Sequence, residues 1–208
     1  MIMKIFITSS IIIFSIVSFG CSSEGQLQNS KSDIVDILTI DSSFVLDIRY
    51  ATENNFTKKI LYPVAKAKLR REAAESLASI QKELKTKNLR LKIFDGYRPL
   101  AIQWKLWEIV PNESFVANPK KGSKHNRGAA VDLTIVDALG NELEMPTGYD
   151  DFTEKASHEY MNLTENAIKN RALLKDIMTR HGFQSIRSEW WHYDFRGWEQ
   201  FDIMDEPF

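Results

Sequence analysis

The sequence predicts one α+β domain. Apolar residues recur at helical spacing near the start and near the end of the globular part, and the segments with strand character are grouped between them without the regular strand-helix repeat of a doubly wound sheet. The stretch from Ile34 to Phe208 holds 175 residues, enough for one substantial core and few for two. The expected architecture is a single domain with a small central antiparallel sheet flanked by helices.

The chain opens "MIMKIFITSSIIIFSIVSFGCSS", a lysine followed by an apolar run, so residues 1–20 have the charge order and length of an export signal. Cys21 is the sole cysteine, which removes a disulfide or a cysteine-rich metal site as its purpose. A small residue before a cysteine at this place resembles a bacterial lipoprotein cleavage box, which makes Cys21 a lipidation site and residues 21–33, polar and without an apolar period, a tether. The expected address is the cell envelope, periplasmic-facing or on the outer membrane, with membrane attachment through that lipid. The domain then spans 34–208.

Within it, "FVLDIRYA" (Phe44 to Ala51) alternates and is rich in branched residues, the pattern of a strand. A helix follows over 65–85, where Leu69, Ala73, Leu77, Ile80 and Leu84 fall on one face. "LRLKIFDGYRP" is a strand stopped at Asp95-Gly96, and Pro99 opens a second helix to about Val110. After a loop, "AAVDLTIV" (Ala129 to Val136) is a strand that "DALGNE" turns back toward "LEMP". Thr164 caps a long helix ending at Gly182, with Leu173, Leu174, Ile177 and Met178 inward. The last strand runs through "WWHYDF".

The 27 basic and 28 acidic residues nearly cancel, and no long basic block tells of nucleic acid. Chemistry concentrates instead in three segments. Asp132 lies mid-strand among apolar residues, where a carboxylate is costly unless a positive charge meets it. His125 precedes it across Gly128, so both could ligate one metal; an arginine partner for Asp132 and a surface His125 are equally open from this segment alone. His192 supplies a third ligand, and two histidines with one carboxylate leave zinc the open position of a catalytic site. Glu189 reaches the same metal only if the strand bends before His192. Otherwise "EWWH" is core, with the tryptophans buried and Glu189 exposed. Arg98, fixed between Asp95-Gly96 and Pro99, is placed to stabilise an oxyanion or to form a structural ion pair. His181 reads as a helix-end residue and His158 as lacking a partner at ligand spacing.

Together "RYATENNF", "DGYRP", "SKHNRGAAVDLT", "GYDDF" and "EWWHY" resemble the zinc D-alanyl-D-alanine dipeptidases of the VanX type, within the D,D-peptidases that share a hedgehog-like α+β fold. The resemblance implies a metallopeptidase that splits D-alanyl-D-alanine into two D-alanines, with one zinc per chain held by His125, Asp132 and His192. It implies Glu189 as the base toward a water at the zinc and Arg98 at the oxyanion. Ser123, Tyr50 and Asp150 fall at substrate-contacting positions, Asp150 for the free amino group with Asp151 one residue away. Trp190, Trp191, Tyr97 and Phe56 are candidates for limiting substrate size. The alternatives are a zinc D,D-carboxypeptidase acting on longer peptidoglycan stem peptides, and a zinc-stabilised binding module without hydrolysis.

Overall fold

The computed structural model describes residues 1–2 and 33–208. The export signal, Cys21 and nearly all of the tether therefore lie outside the described residues.

Among the described residues, seven strands and three α-helices make a mixed domain: β1 (Ile34–Asp36), β2 (Val45–Leu46), β3 (Lys68–Arg70), α1 (Arg71–Lys85), β4 (Arg90–Asp95), α2 (Leu100–Ile109), β5 (Ala130–Val136), α3 (Glu165–Arg180), β6 (Phe183–Ser185) and β7 (His192–Phe195). Five strands form one sheet in the order β2-β4-β5-β7-β6, and β1 pairs with β3 in a separate two-stranded ribbon. The expected α+β class holds, but the central sheet is not wholly antiparallel: β2 pairs parallel with β4. The reason lies in the connection. Between β2 and β4 the chain makes β3 and the whole of α1, a crossover that returns it in its original direction.

One face of the sheet is the core. Val131, Leu133 and Ile135 of β5 join Leu77, Ile80 and Leu84 of α1 and Leu174, Ile177 and Met178 of α3. Each such fully buried side chain contributes roughly 1.5–3 kcal/mol over leaving it in water. The two helices are tied together by the carboxylate of Glu83, which receives Arg180 at 2.8 and 3.0 Å and His181 Nε2 at 3.0 Å, so His181 has a structural role at the end of α3. Strand alternation then aims Asp132 and Thr134 away from the helices, and the functional side of the molecule is that opposite face.

Boundaries differ from expectation where a local pattern competes with a distant partner. α1 begins at Arg71, not near Ala65, because residues 68–70 pair with β1. In "FVLDIRYA" only Val45 and Leu46 join the ladder, and Arg49–Ala51 coil into a 3-10 turn. "LEMP" returns beside β5 through Leu143 N–H to Ile135 O (2.9 Å) and one bridge from Val136 to Glu142, without forming a regular strand. α3 starts as the cap foretells, with Thr164 Oγ1 accepting from Ala167 N–H at 3.1 Å. The last strand is shorter than expected: it begins at His192, and Trp190 and Trp191 sit in a turn that buries both indoles.

Candidate active site

Three neighbouring strands set the first geometry. A register shift between Ile93 and Asp95 in β4 brings Asp95 opposite Asp132 of β5, and Asp132 in turn faces His192 of β7. His125 comes from a 3-10 turn, His125–Arg127, that leads into β5. Gly128 makes the entry possible, since its φ of 67° is left-handed and an added Cβ would lie 2.3 Å from Ile34 Cδ1.

The hydrogen bonds behind the two imidazoles fix which nitrogen carries the proton. His125 Nδ1 lies 2.7 Å from the Gly96 carbonyl oxygen, which can only accept, so Nδ1 is the N–H and Nε2 presents its lone pair inward. His192 Nε2 donates to Asp194 Oδ1 at 2.9 Å, leaving Nδ1 inward. His125 Nε2, His192 Nδ1 and Asp132 Oδ1 form a triangle with edges of 3.2, 2.9 and 3.4 Å. Ligands about 2.0–2.1 Å from a tetrahedral zinc are roughly 3.3 Å apart, so the triangle has the size that zinc needs. Three inward lone pairs repel unless a cation or a proton lies among them, and the donor set fits zinc. Without an ion a proton takes that place. Burial lowers the affinity of His192 for it, but Asp132 and Asp194 outweigh burial and push the imidazole up to about 10. Burial likewise raises the Asp132 carboxyl, and His125 and His192 more than reverse it, holding it well below the usual carboxylate range.

Glu189 is brought to the same cavity by the turn that delays the start of the strand: the His192 N–H reaches Glu189 O at 3.4 Å, and the side chain lines the wall beside the triangle. Burial, the largest influence, raises its carboxyl above the ordinary range against the pull of His192. Arg98 sits on another wall. Asp95 Oδ2 accepts from its Nε and Nη2 at 3.0 and 2.7 Å, Gln103 Oε1 accepts from Nη1 at 2.9 Å, and Nη2 is 4.0 Å from Asp132 Oδ2. The guanidinium also lies 5.2 Å from the Tyr50 ring centre. Arg98 thus forms the structural ion pair, with Asp95, and its guanidinium also faces the triangle.

Tyr50 Oη donates to Asp150 Oδ2 at 3.2 Å, and both residues line the cavity. Burial and then the charge of Asp132 push the Asp150 carboxyl well above its usual range. Asp151 instead accepts from Thr153 N–H and faces a separate hollow, so Asp150 is the carboxyl presented to the centre. Ser123 also lines the cavity, and its Oγ accepts from the His125 N–H at 3.2 Å. The cavity, about 470 Å³, thereby collects all the expected metal-ligating, catalytic and substrate-contacting residues, His125, Asp132, His192, Glu189, Arg98, Ser123, Tyr50 and Asp150. Of the size-limiting candidates, Trp191 and Phe56 line it; Trp190 bonds Thr147 and Tyr97 bonds the Glu206 carbonyl, both behind the wall. His158 does not line it.

Sequence reasoning passed over the residues that hold these groups in place. Asp95 is wholly buried and accepts four hydrogen bonds, two from Arg98, one from Tyr62 Oη at 2.8 Å and one from Gly96 N–H at 2.9 Å. Asn126, also wholly buried, donates to Arg98 O at 2.8 Å and accepts from Ser123 N–H at 2.7 Å, joining the Arg98 turn to the His125 loop. Tyr149 Oη donates to the outer oxygen of Asp132 at 3.0 Å. A signal existed for Asp194, two residues after His192 on the same strand face, and for Asp95, an acidic residue three before an arginine. None existed for Asn126.

The chain as a whole is similar to proteins of known kind. Residues 30–206 match the M15 peptidase family described as D-ala-D-ala dipeptidase. A D-alanyl-D-alanine dipeptidase of Escherichia coli (strain K12) is 34% identical over 180 residues, covering 86% of this chain and 93% of that protein. One from Enterococcus faecium is 33% identical over 183 residues, covering 78% of this chain and 87% of its own. With the match spanning nearly all of the described domain and the likeness to these enzymes running through the same length, the chain belongs to the M15 family of D-ala-D-ala dipeptidases.

Proposed function

We propose that the protein hydrolyses D-alanyl-D-alanine to two D-alanines with one zinc per chain, bound by His125, Asp132 and His192. The observation that carries this reading is the triangle of inward lone pairs with Glu189 and Arg98 on the walls of the same cavity. Zinc, when bound, polarises the scissile carbonyl and acidifies water. Glu189 takes the proton from the attacking water and later hands it to the leaving amine, a task suited to a carboxyl whose proton affinity confinement has raised. Arg98, immobilised by Asp95 and Gln103, stabilises the negative charge that develops on the carbonyl oxygen without having to reorganise. Asp150, steadied by Tyr50, receives the substrate ammonium, and Ser123 on the His125 side contacts the other end.

The lipoprotein reading of the N-terminus belongs to the same proposal: the domain works outside the cytoplasm, tethered through Cys21, where free dipeptide and wall-derived peptides are its substrates. Loss of labelled fatty acid from Cys21→Ser tests the anchor. For the activity, purified protein is given D-alanyl-D-alanine, its L,D counterpart and one stem peptide, and free amino acid is measured before and after chelation and after zinc is restored. Release of D-alanine from the D,D-dipeptide that follows the zinc supports the reading; release that survives complete chelation refutes it.

A further inference from the structure

The catalytic cavity shares a wall with a second hollow. That hollow, about 630 Å³, is lined by Thr153, Ser157, Tyr160 and Arg187 among others, and it meets the catalytic cavity along Ser188, Glu189, Phe152 and Phe115. Glu189, the proton carrier, borders both spaces. What separates them is aromatic. Phe152 stands in the middle, 5.3 Å from the Phe56 ring at an edge-on angle of 69° and 4.9 Å from the Phe115 ring at 31°. The three rings come from three separate loops, none of them part of the sheet.

The position of this partition relative to the substrate follows from charge. The free amine of a dipeptide goes to Asp150, two residues before Phe152 on the same loop, and the cavity is also bordered by Ser123, Lys124 and Arg127, polar and cationic as a carboxylate requires. A residue added to the amine end of the substrate would pass Asp150 and run into Phe152. A group added to the carboxylate end would meet the Ser123–Arg127 loop instead.

Resting on the dipeptidase reading above, we infer that Phe152, supported by Phe56 and Phe115, is the residue that sets substrate length, and that the hollow behind it accepts the amine-side extension of a peptide ending in D-alanyl-D-alanine once the ring is removed. The partition excludes such peptides by steric means and has no part in the bond-breaking step. The hollow shares Glu189 with the reacting centre, so an extended chain that enters it past Phe152 keeps its scissile bond beside that carboxyl. Loss of the Phe152 ring therefore changes which substrates are cleaved more than how fast cleavage proceeds.

The test compares wild type, Phe152→Ala and the milder Phe152→Leu, each zinc-loaded and checked for folding by circular dichroism. Three substrates are used: D-alanyl-D-alanine, the same dipeptide acylated on its amine by one L-amino acid residue, and the dipeptide amidated at its carboxylate. The expected result is a kcat/KM ratio of extended to free dipeptide that rises by roughly tenfold or more in Phe152→Ala and by less in Phe152→Leu, with no gain for the amidated substrate. An unchanged ratio, an equal gain for the amidated substrate, or wild type that already cleaves the extended peptide as well as the free one overturns the assignment of Phe152 while leaving the dipeptidase reading intact. Failure of wild type to cleave the free dipeptide overturns both.

Discussion

Asp95→Asn is the most informative single substitution in the supporting layer. Asp95 is fully buried, and its two oxygens divide the work: Oδ1 accepts from Tyr62 and Gly96, Oδ2 from two nitrogens of Arg98. Asparagine keeps the size and one acceptor oxygen, so the Tyr62 and Gly96 bonds survive with the amide NH2 turned toward Arg98. Donor then faces donor, two charge-assisted bonds are lost, and Arg98, a residue only 7% exposed, keeps its charge with Gln103 as its remaining side-chain acceptor. Breaking a buried pair on one side costs about 3–5 kcal/mol. For a chain of this length that is a fall in Tm of roughly 6–20 °C. Arg98 would also lose its aim, and removal of one group that stabilises an oxyanion lowers kcat by about 10²–10³. Thermal unfolding of the zinc-loaded protein and D-alanine release measure the two effects. Adding Arg98→Met to Asp95→Asn removes the stranded charge, so part of the stability returns while activity does not. A variant Asp95→Asn with wild-type Tm and turnover refutes the claim that Asp95 holds Arg98.

Two further substitutions probe other parts of the molecule. Asp194→Ala removes the acceptor behind His192 Nε2, and zinc affinity, read by competition with a chelator, falls about 10–100-fold while the fold is retained; unchanged affinity contradicts the role given to Asp194. His158 has both ring nitrogens buried without a partner, and burial, with Lys175 and Arg171 adding to it, lowers its pKa to about 4. Its folded pKa lies below the unfolded value of about 6.5, so the unfolded state binds more protons between pH 4 and 6.5 and stability falls as pH drops through that window. The loss is at most about 3 kcal/mol and is reduced by the ring's partial exposure. His158→Phe keeps the edge contact with Tyr193, removes both unpaired nitrogens, raises Tm at pH 7 and flattens that acid slope; equal slopes in the two proteins refute the account.

What could be read from the sequence was local. α3 was legible because Thr164 and Gly182 punctuate it, and the core face of β5 because Val131, Leu133 and Ile135 alternate with Asp132 and Thr134. β3 was hidden because Leu69 at its centre continues the apolar period of the helix after it, and only pairing with β1, more than thirty positions away, makes residues 68–70 a strand. The parallel β2–β4 pair was likewise a property of the crossover between the two strands. In the site, the residues that face the centre belong to motifs with unusual chemistry for their surroundings, a carboxylate within a strand or a histidine beside tryptophans. Those behind them, Asp95 and Asn126, owe their importance to register and to loop approach, and a polar residue in a loop looks the same whether or not another loop closes over it. The chemistry requires a bend between Glu189 and His192, and in the structure it is a turn closed by the His192 N–H.

The central claim is that His125, Asp132 and His192 hold the metal while Glu189 moves the proton. Zinc content and D-alanine release from D-alanyl-D-alanine, measured together on Glu189→Gln, test it most directly. The account predicts about one zinc per chain, as in wild type, with turnover lower by roughly 10²–10⁴. Wild-type turnover in that variant would contradict it, and so would loss of the zinc.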